Sequence, residues 1–242
     1  MTPRFSIILP CYNEAGTLPS LFERFGEVIG PRTNLEVVFV NNGSKDDSAA
    51  VFARELSQPG RAWARLVAVE INQGYGFGIL AGLHAARGEY IGWTHADSQY
   101  DPTIVLEGFS LLIATADPTR AFLQGRRVNR NWVDSFFTGG MTVLARLLLG
   151  MDVRDINAQP KLFPRSFLEY IKAAPKDFSL DLYALFIARR QGFERLYLPV
   201  AFGRRLHGEA KGGGSLALKW MLTKRTWAFI LQLRRDIRAR RI

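Results

Sequence analysis

The stretch that decides the fold is Phe5–Glu14, FSIILPCYNE, an apolar run that ends abruptly in polar residues. Leu35–Ser44, LEVVFVNNGS, repeats the pattern and ends in asparagine, glycine and serine. Their short apolar parts, Phe5–Leu9 and Leu35–Val40, are rich in β-branched and aromatic residues and predict buried strands. Two more such runs follow, at Leu66–Ile71 and Tyr90–Trp93.

Between these strands lie stretches whose apolar residues recur three or four positions apart, the spacing of an amphipathic helix. They are Leu18–Val28, Asp47–Leu56 and Gly78–Ala86. Strands that alternate with helices predict an α/β fold with a doubly wound, mostly parallel sheet and right-handed crossovers. Such sheets bind ligands at the carboxyl ends of their strands, where this chain gathers asparagine, glycine, histidine and aspartate.

The second half is less regular, and we predict that residues 1–214 form one domain followed by a basic amphipathic helical tail at 215–242. Glycines at 208–215 predict a loop before that tail. The elements predicted in the second half are a helix at Thr103–Ala114, a strand at Ala121–Gln124, an apolar helical stretch at Trp132–Leu149, a helix at Leu180–Arg190 and a strand at Leu196–Val200.

The charge of the chain points to an anionic partner. Its 242 residues carry 32 Lys and Arg against 22 Asp and Glu, a formal net charge of +10. Nucleic acid, anionic lipid and a phosphorylated substrate all fit such an excess. Near the C-terminus, however, the cations alternate with Trp220, Trp227 and other large apolar side chains, a mixture that favours an anionic membrane surface. A nucleic-acid-binding protein would leave the polar strand ends unexplained, so we expect no nucleic acid partner.

We expect the protein to lie in the cytoplasm, peripheral at the inner face of the membrane, because its cysteine content fits a reducing compartment and its apolar runs are short. The single cysteine, Cys11, excludes a disulfide framework and is interpreted as a small buried side chain. The first residues lack the apolar core of a signal peptide. The best candidate for a membrane span, Phe136–Met151, contains two glycines and Arg146, and falls short of about 18 uninterrupted apolar residues.

A divalent cation site is indicated after the fourth strand. His95, Asp97 and Gln99 alternate along an extended segment and could face one ligand together. A carboxylate with amide and imidazole neighbours suits Mg²⁺ or Mn²⁺ holding phosphate oxygens. The alternative is that Asp97 only caps a turn or the following helix.

The glycines after the third strand do not indicate NAD binding. Gly74, Gly76 and Gly78 precede a helix, but their spacing is wrong for G-x-G-x-x-G and they follow the third strand rather than the first.

Taken together, the motifs resemble those of the family 2 glycosyltransferases, and more narrowly the dolichyl-phosphate mannose synthase or polyprenyl-phosphate glycosyltransferase branch. The resemblance spans about residues 5–211. Five segments carry it in order: Ile8–Glu14 (P-x-Y-N-E), Val40–Ser48 (V-D-D-G-S-x-D-x-[ST]), Asn72–Gly78 (N-x-G-x-x-x-A/G), His95–Gln99 (D-A-D-x-Q) and Arg205–Lys211 (R-x-x-G-x-S-K).

The chain departs from these patterns at charged positions. His95 replaces the first aspartate of D-A-D, and Asn41 and Asn42 replace the paired aspartates after the second strand. The family's D-x-x-S-G-F is reduced to Asp155 followed by a different pentapeptide.

The resemblance implies a GT-A fold and an inverting transfer of a sugar from a GDP- or UDP-linked donor to a polyprenyl or dolichyl phosphate. It assigns a metal to Asp97, Gln99 and His95. Asp181 is equally an acid near the site or a partner of its helix dipole. Catalytic or phosphate-neutralising roles fall to Asp97, Asp155, Arg205 and Lys211, and donor binding to Pro10, Tyr12, Glu14, Asn42, Gly74 and Arg127.

Two rival functions remain open at the level of sequence. An enzyme of the same fold could act on a soluble sugar or another acceptor without a lipid. A non-catalytic protein could bind nucleic acid or recruit partners to a membrane. Asp97, Gln99, Arg205 and Lys211 favour an active enzyme, and the Arg205–Lys211 segment favours a lipid phosphate.

Overall fold

The computed structural model describes residues 2–30, 32, 34–96, 101–128, 146–150, 155–201 and 216–239, with only the backbone of 216–223. The strands are β1 (Phe5–Cys11), β2 (Leu35–Asn42), β3 (Ala64–Val69), β4 (Tyr90–Trp93), β5 (Ala121–Val128), β6 (Lys161–Pro164) and β7 (Glu194–Ala201). The α-helices are α1 (Leu18–Ile29), α2 (Ser48–Leu56), α3 (Tyr75–Ala85), α4 (Thr103–Ile113), α5 (Leu180–Arg190) and α6 (Leu216–Arg238).

The strands form one sheet in the order β3-β2-β1-β4-β6-β5-β7. β6 is antiparallel to β4 and β5, and the other strand pairs are parallel. The predicted doubly wound, mostly parallel sheet is therefore confirmed. Because β6 is reversed, its first residue, Lys161, lies beside Trp93 at the carboxyl end of β4.

Helices cover both faces of the sheet, because alternate strand residues are apolar on both sides. Ile7 and Leu9 of β1 pack with α1, α2 and α4, whereas Ile8 packs with α3, α5 and α6. The first layer contains stacked rings of Phe22 and Phe39, whose centroids are 4.3 Å apart. Burying each ring contributes about 2 kcal/mol to the free energy of unfolding.

Cys11 is buried, as predicted, and its thiol donates to the carbonyl oxygen of Leu9. Several predicted boundaries were wrong. β5 runs to Val128 rather than ending near Gln124, and β7 begins at Glu194 rather than Leu196. β3 ends at Val69 because its partner β2 ends at Asn42, which leaves Ile71 72% exposed. Helix α3 begins at Tyr75 rather than Gly78, directly after a turn at Gly74.

The predicted C-terminal helix is present and joined to the core. Ile230 and Leu233 are buried in the same cluster as α5, and the ring of Phe229 lies 6.4 Å from that of Tyr183. Arg225 pairs with Asp177 in the loop before α5 at 3.1 Å. The division of the chain after residue 214 stays a prediction. Trp132–Leu149 and the loop at 208–215 lie wholly or mainly outside the described residues.

Hydropathy along the described helices gives no candidate membrane span. Across the described part of the chain, each helix is either too short or too polar to cross a bilayer.

Candidate active site at the carboxyl edge of the sheet

Hydrogen bonds join the loops that follow β1 and β2. The backbone amide of Asn13 donates to Ser44 Oγ at 3.0 Å, and the amide of Lys45 donates to Asn13 Oδ1 at 2.8 Å. Asn13 has a φ of 53°, in the left-handed region that asparagine tolerates better than most residues. The amide of Glu14 donates to Ser48 Oγ at 3.1 Å. The two loops therefore form one surface at the carboxyl edge.

Asp46 joins the two loops through several hydrogen bonds to its carboxylate. Its carboxylate accepts hydrogen bonds from the amide of Ala15 and from the amide and hydroxyl of Ser48, at 2.6 to 3.1 Å. Partial burial raises the pKa of Asp46, but the hydrogen bonds from Ser48 and Ala15 outweigh it and hold the pKa below 3.8. The carboxylate is therefore stabilised in its ionised form.

Asn42 connects this surface to the start of α3. Its side chain is buried, and its amide nitrogen donates to the carbonyl oxygen of Gly74 at 3.0 Å. Asn42 Oδ1 is buried and has no hydrogen-bond partner among the described residues. Gly74 has a φ of 119°, and a side chain there would meet the carbonyl oxygen of Lys176 at 2.5 Å. Only glycine fits this close approach between two backbones.

Asp155 and Arg127 form a second group, beyond β4 in the sheet. Asp155 is buried at a φ of 54°, and its Oδ2 accepts from the amide of Arg127 at 3.2 Å. The guanidinium of Arg127 donates to the carbonyl oxygen of Asn157 at 3.2 Å. Gln124 Nε2 donates to the carbonyl oxygen of Asp155 at 2.7 Å. The end of β5 and the turn before β6 thus hold each other in place.

A buried ion pair lies beside this turn. Lys161 and Asp181 are 0% and 2% exposed, and their Nζ and Oδ1 atoms are 2.5 Å apart. Burial lowers the pKa of the Lys161 ammonium, and the neighbouring Asp181 opposes that effect without cancelling it. Asp181 is therefore a buried counter-ion, which neither of the two sequence interpretations anticipated.

Gln159 and Tyr75 link the two groups. Gln159 Nε2 donates to Asp181 Oδ1 at 2.9 Å and lies 3.5 Å from the hydroxyl of Tyr75. The Tyr75 ring lies 6.3 Å from the ring of His95, and it stacks on half-exposed Phe178 at 4.7 Å. The network therefore runs from the β4 end, through α3, to the Asp155 turn.

The described residues predicted to bind the donor lie along this edge. Pro10, Tyr12 and Glu14 are half-buried at and after the end of β1, and Asn42 ends β2. Pro10 on β1 lies two strands from β6, and its register partner Val40 on β2 lies three strands from β6.

The remaining predicted residues, Asp97, Gln99, Arg205 and Lys211, fall outside the described residues. Their neighbours in sequence are placed. The chain leaves β4 at Trp93, four residues before Asp97, and leaves β7 at Ala201, four residues before Arg205. Ala201 pairs with Val128, next to Arg127, so the segment containing Arg205 starts from this same edge.

Within residues 2–96, 101–128, 146–150, 155–201 and 224–239, apart from 31 and 33, no three His, Cys, Asp or Glu residues are arranged to hold an ion. His95, half-buried after β4, is the described member of the predicted set.

Sequence reasoning missed Lys161, Gln159, Tyr75 and Phe178. A charged residue opening the apolar stretch Lys161–Pro164 was the available signal, since such residues are rarely buried unless paired. Tyr75 and Phe178 stack across more than a hundred residues of sequence, and no local pattern indicates that contact.

Solved structures with the same architecture identify the fold. A mannosyltransferase from Pyrobaculum calidifontis, solved with GDP-Man and Mn²⁺, matches with a TM-score of 0.67 and 20% identity over 93% of this chain and 61% of its own. Glucosyl-3-phosphoglycerate synthase from Mycobacterium tuberculosis, solved with Mn²⁺ and UDP, matches with a TM-score of 0.70 and 17% identity over 96% and 80%. The fold is the GT-A fold of nucleotide-sugar transferases.

The family follows from the sequence. The model of glycosyl transferase family 2 matches residues 6–173, and the chain belongs to that family.

The curated relatives of the chain include proteins named as sugar transferases. The undecaprenyl-phosphate 4-deoxy-4-formamido-L-arabinose transferase of Photorhabdus laumondii is 26% identical over 86% of this chain and 62% of its own length. An uncharacterized glycosyltransferase of Mycobacterium tuberculosis is 28% identical over 87% and 90%. The chain therefore spans less than two thirds of the undecaprenyl-phosphate transferase.

Proposed function

We propose that the chain is an inverting glycosyltransferase that moves a sugar from a nucleotide diphosphate to a polyprenyl phosphate. The observation that carries this proposal is the meeting of two groups at one sheet edge. The joined β1 and β2 loops with Gly74 form a surface suited to a nucleotide. Asp155 and Arg127 lie beyond β4, connected through Gln159 and Tyr75.

Phosphate chemistry and sequence similarity both support a polyprenyl phosphate as the acceptor. A phosphate monoester is already anionic at neutral pH, so its attack on the sugar needs no strong general base. It does need cations near both phosphates, which Arg127, Arg205 and Lys211 would supply. Relatives named as undecaprenyl-phosphate transferases, with about a quarter of residues identical, agree with this acceptor.

Mg²⁺ or Mn²⁺ fits the residues present, with Mn²⁺ favoured. Asp97 offers a carboxylate and Gln99 an amide oxygen, while His95, placed at the end of β4, offers an imidazole nitrogen. Imidazole suits the later transition metals better than Mg²⁺, and Mn²⁺ accepts oxygen and nitrogen together. When bound, the ion would neutralise the departing diphosphate.

We also propose that the protein docks on the inner face of the membrane through the outer face of α6. Lys224, Trp227, Leu231, Arg235 and Arg238 recur at helical spacing and are exposed. Trp227 and Leu231 are 45% and 46% exposed, and basic residues flank them. Apolar side chains bordered by cations suit an anionic lipid surface, which attracts each nearby cation by about 1 kcal/mol.

The test is a transfer assay with labelled GDP- and UDP-sugars, a polyprenyl phosphate and Mn²⁺. We expect a lipid-phosphate-sugar product, none with the unphosphorylated polyprenol, and none after Asp97→Asn or with EDTA. Transfer to a soluble acceptor without transfer to the lipid phosphate would contradict the proposal. His95→Asp should change Mn²⁺ affinity if His95 is a ligand, and an unchanged affinity would remove it from the metal site.

A further inference from the structure

The ammonium of Lys161 has all of its donors engaged in the interior. Besides Asp181, its Nζ donates to the carbonyl oxygens of Ile156 at 2.8 Å and Ala158 at 3.2 Å. A buried ion pair is costly to desolvate, and apolar residues of similar volume often give equal or greater stability. Stability is therefore a weak reason for a charge at this position.

Both carbonyls belong to the turn that carries Asp155. The turn closes with a hydrogen bond from the amide of Ala158 to the carbonyl oxygen of Asp155 at 2.8 Å. Asp155 has a positive φ, and a residue other than glycine keeps that conformation only where its surroundings hold it. Lys161 supplies part of that restraint from beneath the turn.

Asp181, the acidic member of the ion pair, is connected to the carboxyl end of β4. Asp181 Oδ1 accepts from Gln159 as well as from Lys161. Gln159 in turn lies within 3.5 Å of the hydroxyl of Tyr75, whose ring neighbours His95. One buried pair is thus connected to both groups of the candidate site.

We infer that Lys161 is a positioning residue for transfer, with Asp181 as its counter-ion. Its ammonium fixes the turn at residues 155–158, and so the relative placement of the Asp155 carboxylate and the Arg127 guanidinium. Lys161 is fully buried, so it acts through the turn. The inference rests on the proposed function for the roles of Asp155 and Arg127.

Two variants separate positioning from stability. Lys161→Met keeps the length of the side chain but leaves the Asp181 carboxylate buried without its cation, so the unfolding midpoint should fall. In Lys161→Met with Asp181→Asn the buried charge is gone and the Asn oxygen still accepts from Gln159. Its midpoint should return toward that of the native protein.

In the double variant, kcat should stay low although the unfolding midpoint recovers. The double variant still lacks a donor to the Ile156 and Ala158 carbonyls, so kcat should stay about 10- to 100-fold below native, as expected for a misplaced catalytic group. The Kd of the nucleotide should be unchanged. A kcat that recovers together with the unfolding midpoint would show a purely structural role and overturn the inference.

Hydrogen exchange gives a readout independent of activity. The amides of Arg127 and Ala158, which donate to Asp155, should lose protection in the double variant while the amides of β1 keep theirs. Retained protection, or lost protection with native kcat, would overturn the inference. A native protein that transfers no sugar to lipid phosphate would instead contradict the proposed function, and the exchange result would still decide the role of Lys161 in ordering the turn.

Discussion

Asp155 combines burial, a positive φ and a hydrogen bond from the amide of Arg127. Asp155→Asn keeps the volume, and asparagine tolerates this backbone conformation. Only the charge is removed, so the unfolding midpoint should be nearly native. We expect kcat/KM to fall by an amount equal to about 2 kcal/mol, typical for a hydrogen-bonded charge. Steady-state kinetics alongside thermal unfolding measure both, and native kinetics would exclude a role for the carboxylate.

Asp46 makes the stability of the β1–β2 surface depend on pH. Its pKa is lowered in the folded state, so its contribution to the free energy of unfolding is fully present above 3.8 and is lost as the pH falls through the folded pKa. Asp46→Asn should therefore be less stable than the native protein at neutral pH. The difference should close in acid. Urea unfolding of both proteins across that range tests this, and a difference independent of pH would mean that the charge is not responsible.

Single residues of the site differ in how well the sequence predicts them. Asp155 and Gly74 were identified because each belongs to a motif with neighbours in sequence. The Lys161–Asp181 pair joins residues 20 positions apart, one on a strand and one on a helix, and no local pattern records that contact. The same holds for Asn42 and Gly74, whose roles were predicted but whose hydrogen bond was not.

At the scale of elements, the start of α3 is built against the loop before α5. A side-chain carbon at Gly76 would lie 2.7 Å from the carbonyl oxygens of Pro175 and Asp177, and the amide of Phe77 donates to Lys176 at 2.9 Å. Gly76→Ala must therefore push two backbones apart. We expect a loss of about 1–3 kcal/mol in the free energy of unfolding, together with weaker nucleotide binding.

Gly16→Ala is the matched control for that variant. Gly16 also lies near the carboxyl edge, but a side-chain carbon there meets none of the described atoms within 4 Å. Its stability and nucleotide affinity should stay close to native, as measured by urea unfolding and by titration with the nucleotide. If both alanine variants behave alike, the packing at Gly76 is not what restricts it.

Elements were predictable where each could be recognised from its own residues. β1, β2 and β4 are apolar runs that can be identified alone, and α1 and α2 show the helical period. β6 is as short as β4, but it begins with a lysine and runs antiparallel, so its identity depends on β4 and β5 on either side. β6 is therefore the strand that the sequence did not predict. It begins with the buried Lys161 and follows the turn of Asp155.

On the scale of the whole molecule, α6 belongs to the core and to the surface at once. One face places Ile230 and Leu233 among the residues of α5, and the opposite face exposes Trp227 and Leu231. Removing the chain after Ser215 would therefore uncover part of the core as well as delete the proposed membrane contact. Point substitutions on the two faces separate these effects.

Leu231 and Leu233 are a matched pair for this test, being 46% and 2% exposed on the same helix. Leu231→Ala should leave the free energy of unfolding nearly native, because its side chain is half outside the core. It should weaken binding to vesicles of phosphatidylcholine with phosphatidylglycerol by roughly ten- to sixtyfold, since it removes three carbons that contribute about 0.8 kcal/mol each when fully buried. Leu233→Ala should do the reverse, losing about 2–5 kcal/mol of stability while vesicle binding stays near native.

Cosedimentation at low and high salt, with urea unfolding of the same samples, measures both quantities. Native protein should bind the anionic vesicles, ignore pure phosphatidylcholine and be released by salt, because Lys224, Arg235 and Arg238 flank the apolar contact. Trp227→Ala should repeat the effect of Leu231→Ala. If both outer-face variants bind vesicles as the native protein does, α6 is not the membrane contact. If the native protein itself does not bind at low salt, the acceptor must reach the site without the protein docking on the bilayer.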